Sequence, residues 1–133
     1  IRVACYAHQI SEAAEMVHHC NELGYETSLN IMAISTVKDA EIDEALKIAR
    51  TTPAGVVVVV DSYGSLYREQ IDHLVRKYQK ALHGTGKEVG IHAHNNQQLA
   101  FANTIEAIIH GANRLDASMA GWDAGPATVQ WSF

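Results

Sequence analysis

Three things this sequence lacks narrow its function before any motif is read. It has no basic excess: ten lysines and arginines stand against fifteen aspartates and glutamates, a formal net charge of −5. Without a cationic face it offers no electrostatic footprint for nucleic acid. It has no long hydrophobic run, since none exceeds the five valines from Val56 to Val60. That falls far short of the ~20 residues that cross a bilayer, so no membrane partner is expected. It has little cysteine, only Cys5 and Cys20, and its opening residues show no cleavable leader pattern. Two thiols without a secretory cue read as free cysteines in a reducing compartment, and the expectation is a cytoplasmic protein. What remains is ordinary: 47% hydrophobic and 19% charged residues with mean hydropathy −0.08, enough for one globular core. Small neutral or metal-chelating substrates suit such a surface better than polyanions.

Two hydrophobic periods alternate along the chain. Arg2 to Tyr6 reads as a short strand, and Ser11 is the expected N-cap of a helix reaching Leu23, with Ala13, Ala14, Val17 and Leu23 on its buried stripe and Gly24 as its stop. Thr27 to Ile34 reads as a strand, followed by a helix from Asp39 that presents Ile42, Ala45, Leu46 and Ala49 and ends before Pro53. The valines from Val56 to Val60 suit a parallel strand buried on both faces, and Asp61-Ser62-Tyr63-Gly64 ends it. A third helix presents Ile71, Leu74, Val75, Tyr78 and Leu82 and stops at Gly84. After the next strand comes a helix carrying Leu99, Ala102, Ile105 and Ile109, and then a last strand, Arg114 to Ser118; no period is visible beyond Gly121.

Four βα units and a fifth strand predict one α/β domain over residues 1–133 with parallel strands and right-handed crossovers. A doubly wound sheet and a (β/α) barrel both fit this order. No glycine-rich turn follows the first strand to cradle a dinucleotide. Polar residues gather instead at successive strand ends: Tyr6 and His8, Ser35, Asp61 and Ser62, His92 and His94, and Ser118. Barrel enzymes keep their sites there.

The stretch Val89 to Asn96 is where the pattern turns from scaffold to site. Apolar residues lead in and Leu99 to Ala102 leave with helical spacing, so His92-Ala93-His94-Asn95-Asn96 lies where a strand ends and a helix begins. Side-chain alternation puts His92 and His94 on one face with Gly90 below them, and Val89, Ile91 and Ala93 on the other. Two imidazoles on one strand end can bind a divalent metal through neutral ring nitrogens, provided a carboxylate and open positions complete the shell. The alternative is a pair of polar caps, and the pairing on one face favours metal. Asp61 is read as an acceptor that orients an imidazole or backbone amides, and Asp116 stands evenly between that role and a strand-end turn. His8 reads as a solvated loop residue, Cys5 as a core filler, and Asn103 as a loop-fixing donor. His18, His19, His73, His83 and His110 fall within or at the ends of helices and are given no role.

Taken together, these residues resemble the metal-dependent TIM-barrel aldolases and lyases that include 4-hydroxy-2-oxovalerate aldolase, hydroxymethylglutaryl-CoA lyase and isopropylmalate synthase. The resemblance is carried by Asp61-Ser62-Tyr63-Gly64, by His92-Ala93-His94-Asn95-Asn96, by Ala102-Asn103-Thr104, and by Gly111-Ala112, Leu115-Asp116-Ala117-Ser118 and Gly121. Asp-Ser-x-Gly and Asp-Ala-Ser are most similar to the pyruvate-forming hydroxy-oxo-acid aldolases. The resemblance implies a (β/α)8 TIM barrel, of which this chain would be the C-terminal part of the catalytic domain: about five strands and four helices, from about strand four to strand eight. A barrel needs ~250 residues, so the expectation is a fragment or a chain completed by association.

The same resemblance implies divalent-metal-dependent cleavage of a 4-hydroxy-2-oxo acid to pyruvate and an aldehyde through a metal-bound enolate, the ion acting as a Lewis acid. His92 and His94 match the family's metal-binding histidines. Ser62 matches a position near the substrate carboxylate, and Asn96 joins Asp61 as a support just outside the ligands. Mn²⁺ or Mg²⁺ is the expected ion, with Zn²⁺ or Co²⁺ as alternatives. The implied partners are a small 2-oxo acid, further copies of the chain in a homo-oligomer, and an aldehyde dehydrogenase. The family's remaining ligand, an aspartate with a neighbouring arginine and a histidine base, matches nothing from Ile1 onward. Asn96 and Gln98 stand where the family has aspartate and glycine, and Trp122 to Thr128 depart from its glycine-rich segment. The rival readings are an acyl-CoA lyase or an isopropylmalate- or homocitrate-type condensing synthase on the same barrel, and a non-catalytic truncated assembly module.

Overall fold

Five short β-branched or apolar strands, each followed by polar turn residues and a helix, build a single parallel sheet in a computed structural model that describes residues 1–119, 130 and 131. The strands β1 (Arg2–Tyr6), β2 (Ser28–Met32), β3 (Val56–Asp61), β4 (Glu88–Ala93) and β5 (Arg114–Leu115) lie in sequence order, β1-β2-β3-β4-β5, with every neighbouring pair parallel. The connecting helices are α1 (Ile10–Glu22), α2 (Asp39–Thr51), α3 (Arg68–Leu82) and α4 (Ala100–Ile109). A doubly wound sheet reverses its strand order at a switch point. This one does not reverse, so the barrel arrangement is the one formed.

Alternation along the strands divides the sheet into a dry face and a polar one. Cys5, Leu29, Ile31, Val57, Val59, Val89, Ile91 and Ala93 are buried with Val17, Ile42, Leu46, Ile71, Val75 and Tyr78 from the helices in one core. The opposite face carries Arg2, Asn30, Val58, Gly90 and His92, with Ala4, Asn30, Val58 and Gly90 in register across β1 to β4. That face is concave. Arg2, on β1, contacts Asp116, just past β5, through two bonds of 2.6 and 2.8 Å. Four inter-strand steps of ~4.8 Å would separate them by about 19 Å on a flat sheet, beyond the reach of the two side chains, so the sheet must curl toward a barrel.

Several elements depart from the sequence pattern, each for a visible reason. A 3₁₀ turn over Ala7–Gln9 precedes α1, and Gln9 Oε1 accepts the Tyr6 N–H, so Ser11 lies inside the first turn instead of capping it. Cys20 replaces Leu23 on the buried stripe of α1, and Leu23 is exposed. β2 ends at Met32 because Ala33 adopts φ 53° and gives its N–H to Ser62 Oγ. In α4 the expected stripe is turned outward: Ala100, Asn103, Thr104, Glu106 and Ala107 are buried, while Phe101, Ile105, Ile108 and Ile109 are exposed. The Asn103 amide selects that orientation by donating to the Leu66 carbonyl at 2.7 Å, and the small Ala100 and Ala107 allow close approach to the sheet. β5 stops at Leu115, and Ser118–Met119 (β6) pairs in parallel with Gln130–Trp131 (β7) as a separate two-stranded sheet. The divergent Trp122 to Thr128 segment lies outside the described residues. Among those residues, no helix is long and apolar enough to cross a membrane.

The core contains a polar flaw and a masked thiol. Tyr78 is fully buried, and its hydroxyl has no hydrogen-bond partner among the described residues. An unsatisfied buried hydroxyl costs about 1–3 kcal/mol, so Tyr78→Phe is expected to leave stability unchanged or raise it, read as the urea midpoint; a loss above about 1 kcal/mol would show that the hydroxyl is satisfied. Burial, and then the nearby Glu12 charge, push the Cys5 thiol up to about 11. The folded chain therefore keeps a proton that the unfolded chain has begun to release near pH 9. The stability Cys5 contributes is complete below about pH 9 and declines as pH rises toward 11. Slow labelling of Cys5 by thiol reagents in the folded chain, made fast by denaturant, is the expected signature.

Candidate metal centre

Strand β4 delivers both histidines of the motif to the C-terminal end of the concave face. Gly90 sits two residues below His92, and a Cβ there would lie 2.9 Å from Val58 Cγ2 and 3.4 Å from the Arg114 Cβ. A side chain there would have to displace Val58, so glycine eases the close approach of β3 and β4 beneath the imidazoles. Their rings meet edge to face, with centroids 4.9 Å apart and planes 65° apart. Both are partly exposed, as a ligand that must meet solvent or substrate requires.

Hydrogen bonding sets the tautomer of each ring. His94 Nδ1 lies 3.0 Å from the Asp61 backbone carbonyl, which can only accept, so Nδ1 carries the proton. His92 Nδ1 lies 2.8 Å from Asp116 Oδ2. Burial would raise the Asp116 carboxyl, but the bonds from His92 and Arg2 outweigh it and hold the group below the ordinary carboxylate range. An ionised carboxylate accepts only, so His92 Nδ1 also carries the proton. In each neutral ring the Nε2 is then the lone-pair nitrogen, the form in which imidazole ligates a metal. Outer carboxylates and carbonyls play this orienting part at metal sites generally.

Asp61 accepts from both backbone amides and an imidazole. Its carboxylate is fully buried and accepts the N–H groups of Ser65 and Leu66 at 3.1 Å each, holding the turn after β3, while its carbonyl orients His94. Ser62 Oγ accepts the Ala33 N–H at 2.8 Å, tying the end of β2 to that turn. Asn96 is exposed, and its backbone N packs against Gly64. Asn95 Oδ1 accepts the Ala100 N–H at 3.1 Å and so starts α4, a role that sequence reasoning did not assign. His8 is exposed and stacks on Tyr6 with centroids 5.7 Å apart. Arg2 was also missed: nothing local marks it, because its partner is 114 positions away. Among the described residues no cluster of three or more His, Cys, Asp or Glu could hold a metal ion.

The HMGL-like family matches residues 4–128. This chain belongs to that family. It is 33% identical over 130 residues to a 4-hydroxy-2-oxovalerate aldolase from Geobacillus thermodenitrificans, covering 98% of this chain and 37% of that protein. It is 30% identical over 131 residues to an oxaloacetate decarboxylase from Mycobacterium tuberculosis, covering 98% and 38%. The chain thus spans well under half the length of the curated relatives it matches. Its fold superimposes with TM-score 0.82 on the N-terminal domain of a candidate aldolase from Bacteroides vulgatus, at 30% identity over 96% of this chain and 42% of that one. The hydroxymethylglutaryl-CoA lyase from Pseudomonas aeruginosa aligns with TM-score 0.76 at 15% identity over 96% and 49%, a likeness of fold.

The turn after β3 and the histidine loop are in direct contact at Gly64. Its φ is +57°, and a Cβ would fall 2.6 Å from the His94 carbonyl oxygen and 2.7 Å from the Asn96 nitrogen. Both neighbours are backbone, so neither yields cheaply. Gly64→Ala is expected to cost at least about 1–3 kcal/mol in unfolding measurements and to move the His94 resonances, whereas a silent substitution would mean the two loops are not packed together.

Proposed function

We propose that this chain supplies the histidine half of a divalent-metal centre in a carbon–carbon lyase that cleaves a 4-hydroxy-2-oxo acid to pyruvate and an aldehyde. The observation that carries the reading is the hydrogen bonding of the two rings: independent acceptors, the Asp61 carbonyl and the Asp116 carboxylate, each accept from Nδ1–H, which makes Nε2 the ligating atom. Two imidazole Nε2 donors completed by oxygen donors would suit Mn²⁺ or Mg²⁺ in an oxygen-rich shell, or Zn²⁺ and Co²⁺. Bound there, the ion would act as a Lewis acid toward the 2-oxo group and stabilise the negative charge that develops on its oxygen. Cleavage breaks the C3–C4 bond as the 4-hydroxyl loses its proton. The electron pair left on C3 is conjugated with the 2-oxo group, and protonation of C3 completes pyruvate.

The chain's own residues bind and orient. Ser62 Oγ accepts from Ala33, which leaves its hydroxyl proton to donate toward a substrate carboxylate. The decarboxylase relative supports the pyruvate type over an acyl-CoA lyase or a condensing synthase, because loss of CO₂ from oxaloacetate breaks the same C3–C4 bond and leaves the same carbanion at C3. A Schiff-base route finds no support. Lys47, Lys77 and Lys80 lie on helices, Lys38 precedes α2, and Lys87 is bonded to the Thr52 and Ala54 carbonyls before β4. Association of copies through the edge strands β1 and β5, in a cytoplasmic setting, completes the reading.

Pyruvate release from 4-hydroxy-2-oxo acids should disappear with a chelator and return with Mn²⁺ or Mg²⁺, and borohydride should trap no lysine adduct. His92→Ala, His94→Ala and the double variant should each lose at least about 10–100-fold in metal affinity, with similar severity, because the rings act together. Ala93→Ser, on the buried face of β4, should leave metal binding unchanged. Unchanged metal affinity in the folded single variants would make the histidines structural and defeat the proposal.

A further inference from the structure

The two histidines are oriented by different kinds of group, and the difference assigns work to a residue at the far edge of the sheet. His94 leans on a backbone carbonyl of the adjacent strand, which no side-chain substitution can remove. His92 leans on a side chain, Asp116, which could rotate about its own bonds. Arg2 prevents that rotation. Its Nη1 donates to Asp116 Oδ2 at 2.6 Å and its Nη2 to Oδ1 at 2.8 Å, so the planar fork fixes the plane of the carboxylate. Oδ2 is the same oxygen that accepts from His92 Nδ1 at 2.8 Å. A guanidinium offers donors only, so both carboxylate oxygens that meet it act as acceptors.

We infer that Arg2 is a positioning residue for His92, acting through Asp116, and that the lone-pair orientation of His92 depends on the curl of the sheet that brings β1 within reach of the segment after β5. The inference rests on the metal-centre reading for its purpose, though not for its geometry. It separates the two rings. Loss of Arg2 should release Asp116, and with it the tautomer of His92, while His94 keeps the Asp61 carbonyl. Lysine at position 2 would keep the charge but cannot span both carboxylate oxygens with a fixed fork, so it should restore the arrangement only in part.

The test uses the metal-free 133-residue chain, labelled with ¹⁵N, and long-range ¹H–¹⁵N correlations that report which nitrogen of each imidazole is protonated. In the unaltered chain both rings should show protonated Nδ1. Arg2→Met and Asp116→Asn should move His92 toward a mixture of tautomers and leave His94 as it was, with Arg2→Lys intermediate. Calorimetric titration with Mn²⁺ alone should show affinity lower by about 10–100-fold in Arg2→Met and Asp116→Asn. A purely structural role for Arg2 would disturb both rings alike or neither. Folded Arg2→Met and Arg2→Lys chains with an unchanged His92 tautomer would overturn the inference. If the unaltered chain binds no Mn²⁺ while the tautomers respond as described, the positioning role stands and the metal reading falls; if Mn²⁺ binds and the variants match the unaltered chain in affinity and tautomer, the positioning role falls alone.

Discussion

Side-chain alternation along parallel strands, combined with helices on only one face, is the constraint on which this molecule depends. Once α1 to α4 cover one face, every second residue of each strand belongs to a dry core and the others to a concave polar surface. The chemistry has to collect at the C-terminal strand ends of that surface, where the turns leave room for polar side chains. His92 lies on β4 and His94 directly after its last residue, two positions on, so they fall on the polar side together while Ala93 between them is buried. A slip of one residue would bury both imidazoles and expose Val89, Ile91 and Ala93.

The loops above the strand ends are braced against one another. Asp61 is the hub: its carboxylate holds the turn after β3 while its carbonyl sets the ring of His94. Ser62 ties the end of β2 to that turn through the Ala33 N–H, Gly64 lets the turn touch the histidine loop, and Asn95 starts α4. Two non-glycine residues with positive φ, Ala33 and Gln98, lie in these loops, and backbone held in sparsely populated conformations tends to cluster at functional sites. Rigid support of this kind would suit the metal-ligand pair proposed above, because ring orientation sets which nitrogen would face an ion.

On the helical side, the network between α3 and α4 is polar. Glu106, buried against α3, accepts from His110 at 2.8 Å and pairs with Arg68 at 3.1 Å; Asp72 joins His110 and Arg76. The bonds from His110, opposed by burial and helped by Arg68, hold the Glu106 carboxyl low. These bonds and Asn103 fix the rotation of α4, so its large apolar side chains face outward.

Much of this was legible in the chain itself. The valines of β3, the glycines that stop α1 and α3, and the amphipathic stripes of α2 and α3 determined the order and boundaries of the βα units, because those signals are local and the periods of 2.0 and 3.6 report burial directly. The spacing of His92 and His94 determined that they share a face, for the same reason. Tertiary structure decided what distance in sequence conceals. Strand order chose the barrel over the doubly wound sheet, since crossover direction leaves no mark on hydrophobic periodicity. The rotation of α4 went against its apolar stripe because a buried Asn103 amide needs the Leu66 carbonyl. The division of labour between Asp61 and Asp116 depended on which of them could reach an imidazole. Arg2 acquired its role only through the curvature that brings the two edges of the sheet together, and no pattern within a window of residues encodes a contact between positions 2 and 116.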